Sequence, residues 1–138
     1  MQCYEVGLDD RMEPRFAMEV RSGEQWAKFL SQPAPDLRNS FISHVTVDFD
    51  QIPSGAIEMV EFHDCIVTIH ADDIFMRDVL FKNRNLDVRV EAGLINRVVF
   101  DSCTFRTLSV QGTIRKSAFV NCVLEEPASL PAAGFEWT

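Results

Sequence analysis

The chain has 138 residues, 46% of them hydrophobic and 25% charged, and its 21 acidic and 13 basic side chains give a net charge of −8. This length suits one domain, and the composition excludes disordered, collagen-like and coiled-coil proteins. No apolar run approaches the roughly 20 residues that cross a bilayer, and the acidic start lacks a secretory signal, so we expect a cytoplasmic protein. An acidic surface repels phosphate, which disfavours direct binding to nucleic acid.

The first 38 residues are predicted to form a cap. Stretches 3–7 and 15–20 have the composition of short extended segments. A repetitive fold follows them, and the open end of such a fold exposes unpaired backbone and core side chains, which require a cover. We therefore expect residues 1–38 to close that end.

A helix is expected inside this cap, over about residues 22–32. Ser22 and Gln25 fit a capping box, in which each side chain satisfies a backbone N–H group at the start of a helix. An apolar stripe and two terminating prolines complete the pattern: Trp26, Phe29 and Leu30, then Pro33 and Pro35. The stripe favours packing onto a core over binding a partner.

An internal repeat of 19 residues dominates the centre of the chain. Its most regular column is apolar: Phe62, Phe81, Phe100 and Phe119. A second column lies three positions later: Cys65, Arg84, Cys103 and Cys122. Short polar residues lie between these two columns: Asp64, Asn83, Ser102 and Asn121. Several columns in register over four copies indicate a repeat protein in which each copy forms one structural unit.

The spacing of apolar residues within one copy alternates between two and three: Val98, Phe100, Cys103, Phe105, Leu108 and Val110. A helix requires spacings of three and four, and a straight strand requires two throughout. The alternation therefore predicts short extended segments joined by corners, four segments to a square turn of roughly 20 residues. Stacked turns would pair as parallel strands about 4.8 Å apart and bury one continuous core.

The chain from about residue 41 to residue 126 resembles a pentapeptide-repeat protein, whose fold is a right-handed quadrilateral β-helix. The matching pairs are Val60/Phe62, Cys65/Val67, Val79/Phe81, Val98/Phe100, Cys103/Phe105, Leu108/Val110 and Cys122/Leu124. The 19-residue turn and Arg84 depart from the family pattern. We therefore predict a mainly β protein: a cap over 1–38, a short right-handed parallel β-helix of four to five turns over 39–126, and a tail over 127–138. The tail either folds across the last turn or hangs free.

The sequence gives little support for a catalytic or metal-binding site. The four cysteines, Cys3 among them, have no CxxC spacing and are expected to be reduced core thiols. His63, Asp64, His70, Asp72 and Asp73 lie within eleven residues, but a β-helix would place the first two at one corner and the other three on a later face. A short stack also gives little length for the groove of a polysaccharide lyase or esterase. We expect no enzyme activity, no metal and no cofactor.

Charge is unevenly distributed along the chain. Residues 39–76 contain seven acids and no Lys or Arg, whereas residues 77–116 contain eight basic residues and four acids. Because successive turns stack, the first turns should be acidic and the middle basic. Complete absence of Lys and Arg over a long stretch favours a surface that meets a basic partner. The predicted contact residues are Asp48, Asp50, Glu58, Glu61, Asp72 and Asp73, with Arg84 added because it interrupts the cysteine column.

The sequence therefore predicts a non-catalytic inhibitor that blocks a basic partner protein such as a toxin or a nuclease, as immunity proteins and phage anti-defence proteins do. Pentapeptide-repeat relatives include acidic proteins that imitate duplex DNA and occupy topoisomerases, and this resemblance implies a DNA-mimic alternative. The column Thr68, Asp87, Arg106 and Glu125 alternates in sign, which disfavours mimicry along the whole length. A second alternative is a scaffold module whose end turns stack on another copy, and a homodimer is left open.

Overall fold

The computed structural model describes residues 16–52 and 56–138. In this part of the chain one α-helix, α1 (Gly23–Leu30), and a short 3-10 turn (Phe49–Gln51) accompany thirteen strands. One sheet contains β1 (Met18–Val20), β2 (Ser40–Ser43), β4 (Ala56–His63), β6 (Ile74–Lys82), β8 (Gly93–Asp101), β10 (Thr113–Arg115), β11 (Ser117–Val120) and β13 (Phe135–Trp137). The other contains β3 (Thr46–Asp48), β5 (Ile66–Ala71), β7 (Asn85–Val90), β9 (Thr104–Val110) and β12 (Val123–Leu124). The stretch predicted over 3–7 and residue Cys3 lie outside the described residues.

Every strand pairing is parallel, so the described chain forms a β-solenoid. The order in the larger sheet is β1-β2-β4-β6-β8-β11-β13, and in the smaller sheet β3, β5, β7, β9 and β12 follow one another. Phe62 is in register with Phe81, Phe81 with Phe100, and Phe100 with Phe119, which confirms the 19-residue repeat. The solenoid has about six turns, slightly more than the four to five predicted. The additional rungs come from both ends, where β1 and β13 continue the larger sheet.

Each full turn consists of three extended segments, where the sequence predicted four. In the turn that contains β6, the first segment is 74–77, the second is 79–82 and the third is β7. We call the surfaces formed by the stacked equivalents the first, second and third faces. The difference arises because β5, β7 and β9 are six or seven residues long and run straight where a square turn would bend.

Two of the three corners each contain a stacked column of residues with positive φ. The first column, between the first and second faces, is Asn39, Met59, Asp78, Arg97, Lys116 and Gly134. The second column, between the second and third faces, is His44, Asp64, Asn83, Ser102 and Asn121. Asn, Asp and Gly tolerate this left-handed conformation best, which explains the short polar residues of the repeat. The third corner joins the third face to the first face of the next turn.

The interior is a continuous apolar column. The rings of Phe62, Phe81, Phe100 and Phe119 stack with centroid separations of 4.9–5.0 Å and interplanar angles of 5–6°. Cys65 and Cys103 are buried beside them, and Cys122 is partly buried. The Cys103 and Cys122 thiols donate to the carbonyl oxygens of Phe81 (3.3 Å) and Phe100 (3.2 Å) in the turn below. The cysteine column is therefore an internal hydrogen-bonded ladder.

The helix predicted near the start is α1. Its N-cap is Ser22, whose hydroxyl accepts from the Gln25 N–H (3.2 Å). The Gln25 carboxamide oxygen reaches past the N-cap and accepts from the Arg21 N–H (2.6 Å), a variant of the expected capping box. Trp26 and Phe29 are buried in the main hydrophobic cluster. None of the described helices has the length and apolar character needed to cross a membrane.

The C-terminal residues extend the solenoid. β13 pairs with β11, and Ser129 forms a bridge with Ser109 of β9. Trp137 stacks on Phe119 at 4.7 Å between ring centroids, and Phe135 meets the same ring edge-on at 5.6 Å. Of the two alternatives for the tail, the structure has the one that folds across the last turn.

Candidate functional site: an acidic corner

Five carboxylates lie along the third face of the early turns and at the corner where that face ends, with Asp48 in register with Thr68 in the middle of β5. They form what we call the acidic corner: Asp48, Asp50, Asp72, Asp73 and Glu91. The corner is built by successive rungs. β3 ends at Asp48, and the 3-10 turn that carries Asp50 packs against β5. Asp72 and Asp73 follow directly after β5.

The next turn adds Glu91 to the same corner. The Glu91 N–H donates to the Ala71 carbonyl oxygen (3.0 Å), which places this residue one rung beyond Asp72. Adjacent rungs of a parallel sheet are about 4.8 Å apart, so the carboxylates lie close enough to act on one partner. Asp48 also has a local role, because its side chain accepts from the Asp50 N–H (3.0 Å) and caps the 3-10 turn.

The carboxylates of the acidic corner are not neutralised within the described chain. None of the five forms an ion pair with a described residue, and four are exposed, Asp48 being half-buried. The nearest pairing on the third face involves other groups: His70 Nε2 lies 3.2 Å from Asp87 Oδ1. The corner therefore presents negative charge to solvent over two to three turns.

Two of the predicted contact residues lie elsewhere. Glu58 is on the first face, where its carboxylate accepts from Arg77 Nη2 (2.9 Å) of the next turn. Glu61 is on the second face, with Oε1 2.9 Å from His63 Nε2. The structure thus brings together four of the six predicted acids and separates these two, each beside a basic group.

Arg84 turns its side chain to solvent. Cys65, Cys103 and Cys122 face inward at the equivalent positions, but Asn83 and Arg84 both have positive φ (66° and 77°). This second left-handed residue rotates the Arg84 side chain outward and avoids the burial of an unpaired guanidinium. Arg84 is at the corner between the second and third faces, whereas the acidic corner lies at the other end of the third face.

Ion pairs between successive turns were not predicted from the sequence. Arg97 Nε and Nη2 donate to the two carboxylate oxygens of Asp78 (2.7 and 3.1 Å), and Arg77 bonds Glu58. The hydrogen bonds from Arg97 lower the pKa of Asp78 and raise that of Arg97. Both pairs are separated by 19 residues, so an acid-to-arginine offset equal to the repeat was the available signal.

The histidine and aspartate cluster does not converge. His63 faces Glu61 on the second face, whereas His70 faces Asp87 on the third. No group of three or more His, Cys, Asp or Glu side chains within the described ranges is arranged to hold a metal ion.

The thiols differ in ionisation. Burial raises the pKa of Cys65. Cys103 and Cys122 interact with each other, and the hydrogen bond between them lowers the pKa of the more exposed Cys122 to about 7 while raising that of Cys103. Their inward position suits a structural role.

Comparison with known proteins gives no relative: no protein-family model, no curated protein and no solved structure matches the chain.

Proposed function

We propose that this protein is a non-catalytic, cytoplasmic inhibitor that inserts its acidic corner into a basic surface of a partner protein such as a toxin or a nuclease. The observation that carries the proposal is the set of five carboxylates at one corner with no ion pair to any described residue. We also propose that the chain is related to pentapeptide-repeat proteins. The Phe and Cys columns support this relationship, and the three-segment turn departs from the family's square turn.

The charge pattern supports this location over the rest of the early turns. Glu58 has Arg77 as a partner and Glu61 has His63, so their charges are partly cancelled. The carboxylates of the acidic corner are free to pair with cations of another protein. Complementary charge accelerates encounter and fixes the orientation of docking. A convex corner that carries such charge also fits the concave cleft in which a nuclease binds phosphate.

The DNA-mimic alternative has less support. Imitation of duplex DNA requires negative charge on turn after turn. On the third face, the rung after Asp87 carries Arg106, and the rung after that carries Glu125. Arg106 is the extra residue of the bulge between β7 and β9, so it has no register partner on β7. Basic residues of the middle turns therefore separate the carboxylates of the acidic corner from Glu125 and Glu126 on the last turn.

The test compares two matched double variants as baits. Asp72→Asn/Asp73→Asn removes two adjacent exposed acids from the acidic corner, and Glu125→Gln/Glu126→Gln removes two adjacent exposed acids from a distant turn. Both change the net charge equally. We expect the wild type and the Glu125/Glu126 variant to retain one basic protein from the native host, and the Asp72/Asp73 variant to lose it.

The dissociation constant is then measured with the purified protein and its purified partner. This constant should rise steeply with salt, and the Asp72/Asp73 variant should weaken binding by roughly tenfold or more, since each contact between charged groups is worth about 1 kcal/mol. Inhibition of the partner's activity should weaken in parallel. Equal binding by the two double variants would show that total charge, and not the acidic corner, governs the interaction.

A further inference from the structure

The second face of the solenoid has an apolar centre that no described residue covers. Its outward positions alternate with core residues along β4, β6, β8 and β11, and its central stripe is Leu80, Val99 and Ala118, all half-buried. Beside the stripe runs a second outward column: His63, Lys82, Asp101 and Val120. An apolar stripe bordered by charged groups is the arrangement of a protein–protein interface.

The N-terminal end of this face is already covered. The ring of Phe41, one rung before Glu61, lies 5.6 Å from the ring of Phe16 and 4.8 Å from that of His63. The Arg21 guanidinium lies over it, 4.7 Å from the ring centroid. Leu80 and Val99 have no such cover among the described residues. The described residues thus protect one end of the face and leave its centre open.

The charges on the two central rungs are complementary. Lys82 on β6 is in register with Asp101 on β8, yet these side chains form no ion pair with each other or with another described residue. At the edge of the same two rungs, Asp78 and Arg97 carry opposite charges. Each rung therefore has an apolar residue between an acid and a base. Along the chain the acid comes first on β6, and the base comes first on β8.

We propose that the second face binds a second copy of this chain. The two solenoid axes run antiparallel, and the two-fold axis lies between β6 and β8, parallel to the strands. In this arrangement Leu80 packs on Val99 of the second copy. Lys82 faces Asp101 of the second copy, and the reciprocal contacts repeat both. At the corner, Asp78 likewise faces Arg97 of the second copy. All three outward positions of the two rungs are therefore complementary to the second copy.

Neighbouring registers lack this complementarity. An axis through β6 opposes Lys82 to itself, and an axis through β8 opposes Asp101 to itself. An axis between β8 and β11 opposes Arg97 to Lys116. Like charges held directly opposite are destabilising, so a single register is selected. A parallel arrangement exchanges the two outward columns and places Lys82 against Leu80, which leaves the charge unpaired.

The size of the face predicts a weak dimer. Four open rungs span roughly 20 Å by 13 Å at the usual strand and residue spacings. That is below the roughly 800 Å² per partner of a stable complex, so a dissociation constant of about 10–100 µM or weaker is expected. The acidic corner joins the other two faces and lies opposite the second face, so the dimer leaves both copies of it free.

The test is sedimentation of the purified protein from about 5 µM to about 1 mM, a range that brackets the expected constant. The wild type should shift from monomer to dimer. Lys82→Glu and Asp101→Lys should each weaken the dimer by at least about tenfold, because each places like charges opposite each other twice. The double variant Lys82→Glu/Asp101→Lys restores both pairs and should return the constant to within about threefold of the wild type.

Arg89→Glu is the control, because it makes the same charge change in the same turn on the third face and should leave the dimer unchanged. A wild type that stays monomeric at the highest concentration would overturn the proposal. So would a dimer insensitive to the single reversals, which would indicate stacking of solenoid ends, or a double variant that fails to recover. Loss of partner binding in Asp72→Asn/Asp73→Asn with an intact dimer separates this proposal from the inhibitory function.

Discussion

At the scale of single residues, neighbouring turns approach each other closely at the third corner. Gly93 has φ +119°, and a Cβ atom there would lie 1.9 Å from the Ile74 carbonyl oxygen. Glycine is the residue that both reaches this conformation readily and leaves room for the backbone of the preceding turn. The position therefore couples local conformation to the stacking of turns.

Gly93→Ala should lower the free energy of unfolding by several kcal/mol, since strain at the backbone and displacement of the neighbouring turn add together. Gly23→Ala is the matched control, because a Cβ at Gly23 meets nothing within 4 Å. That change should be neutral or slightly stabilising. Urea denaturation of the two variants measures the difference, and similar losses in both would refute the close contact at the third corner.

The paired thiols make a prediction about pH. The hydrogen bond with Cys103 lowers the pKa of Cys122 to about 7, and burial raises that of Cys65. Because the thiolate is the nucleophile, alkylation of Cys122 should increase as pH rises through about 7, while Cys65 stays unreactive in the folded protein. In Cys103→Ala, the midpoint should move upward toward the ordinary thiol value of about 8.5. Mass spectrometry after timed alkylation checks this, and an unchanged midpoint would contradict the pairing.

At the scale of elements, the phenylalanine column joins the turns through their centre. Phe100 contacts the stacked rings of Phe81 and Phe119 and the edge of Phe105 (5.3 Å between centroids). Offset and edge-to-face contacts add to the free energy gained from burial. This column therefore adds to the cohesion that the backbone ladders give β6, β8 and β11.

Phe100→Ala should lower the free energy of unfolding by about 3–5 kcal/mol through lost burial and an unfilled cavity. Phe75→Ala, at a half-buried outward position of the same sheet, should cost about 1–2 kcal/mol. Thermal or urea denaturation gives both values. Equal effects would mean that the ring column does not form the centre of the fold.

The repeat made much of the element structure predictable. The 19-residue columns predicted the register of β4, β6, β8 and β11, and the capping pattern at Ser22 predicted α1. The three-segment turn was not predictable, because periodicity places a bend after Cys65 but not the straight run through Ile69. β13 was also missed, since its sequence carries too little of the pattern and its pairing depends on the surface that β11 offers.

At the scale of the whole molecule, stacking converts sequence order into surface order, but less simply than a linear charge count suggests. Residues 39–76 supply acids to all three faces, and Arg77 of the following turn cancels one of them at Glu58. Which acids stay free depends on side-chain direction and on contacts between turns. The sequence could predict an acidic first region, whereas the grouping at the acidic corner required the fold.

The two proposed surfaces divide the molecule. The acidic corner faces outward between the first and third faces, and the second face with Leu80 and Val99 lies opposite. A dimer through the second face would present two acidic corners pointing away from each other. Partner binding and self-association are therefore expected to be independent, so that saturation with one leaves the affinity for the other unchanged.

Amide hydrogen exchange of the protein alone and bound to its partner shows which surface the partner covers. Binding through the acidic corner should slow exchange over residues 49–52 and 70–73 and at Glu91, with no change over residues 79–82 and 98–101. Protection confined to the second face or to the C-terminal turn, with the acidic corner exchanging as in the free protein, would contradict this prediction.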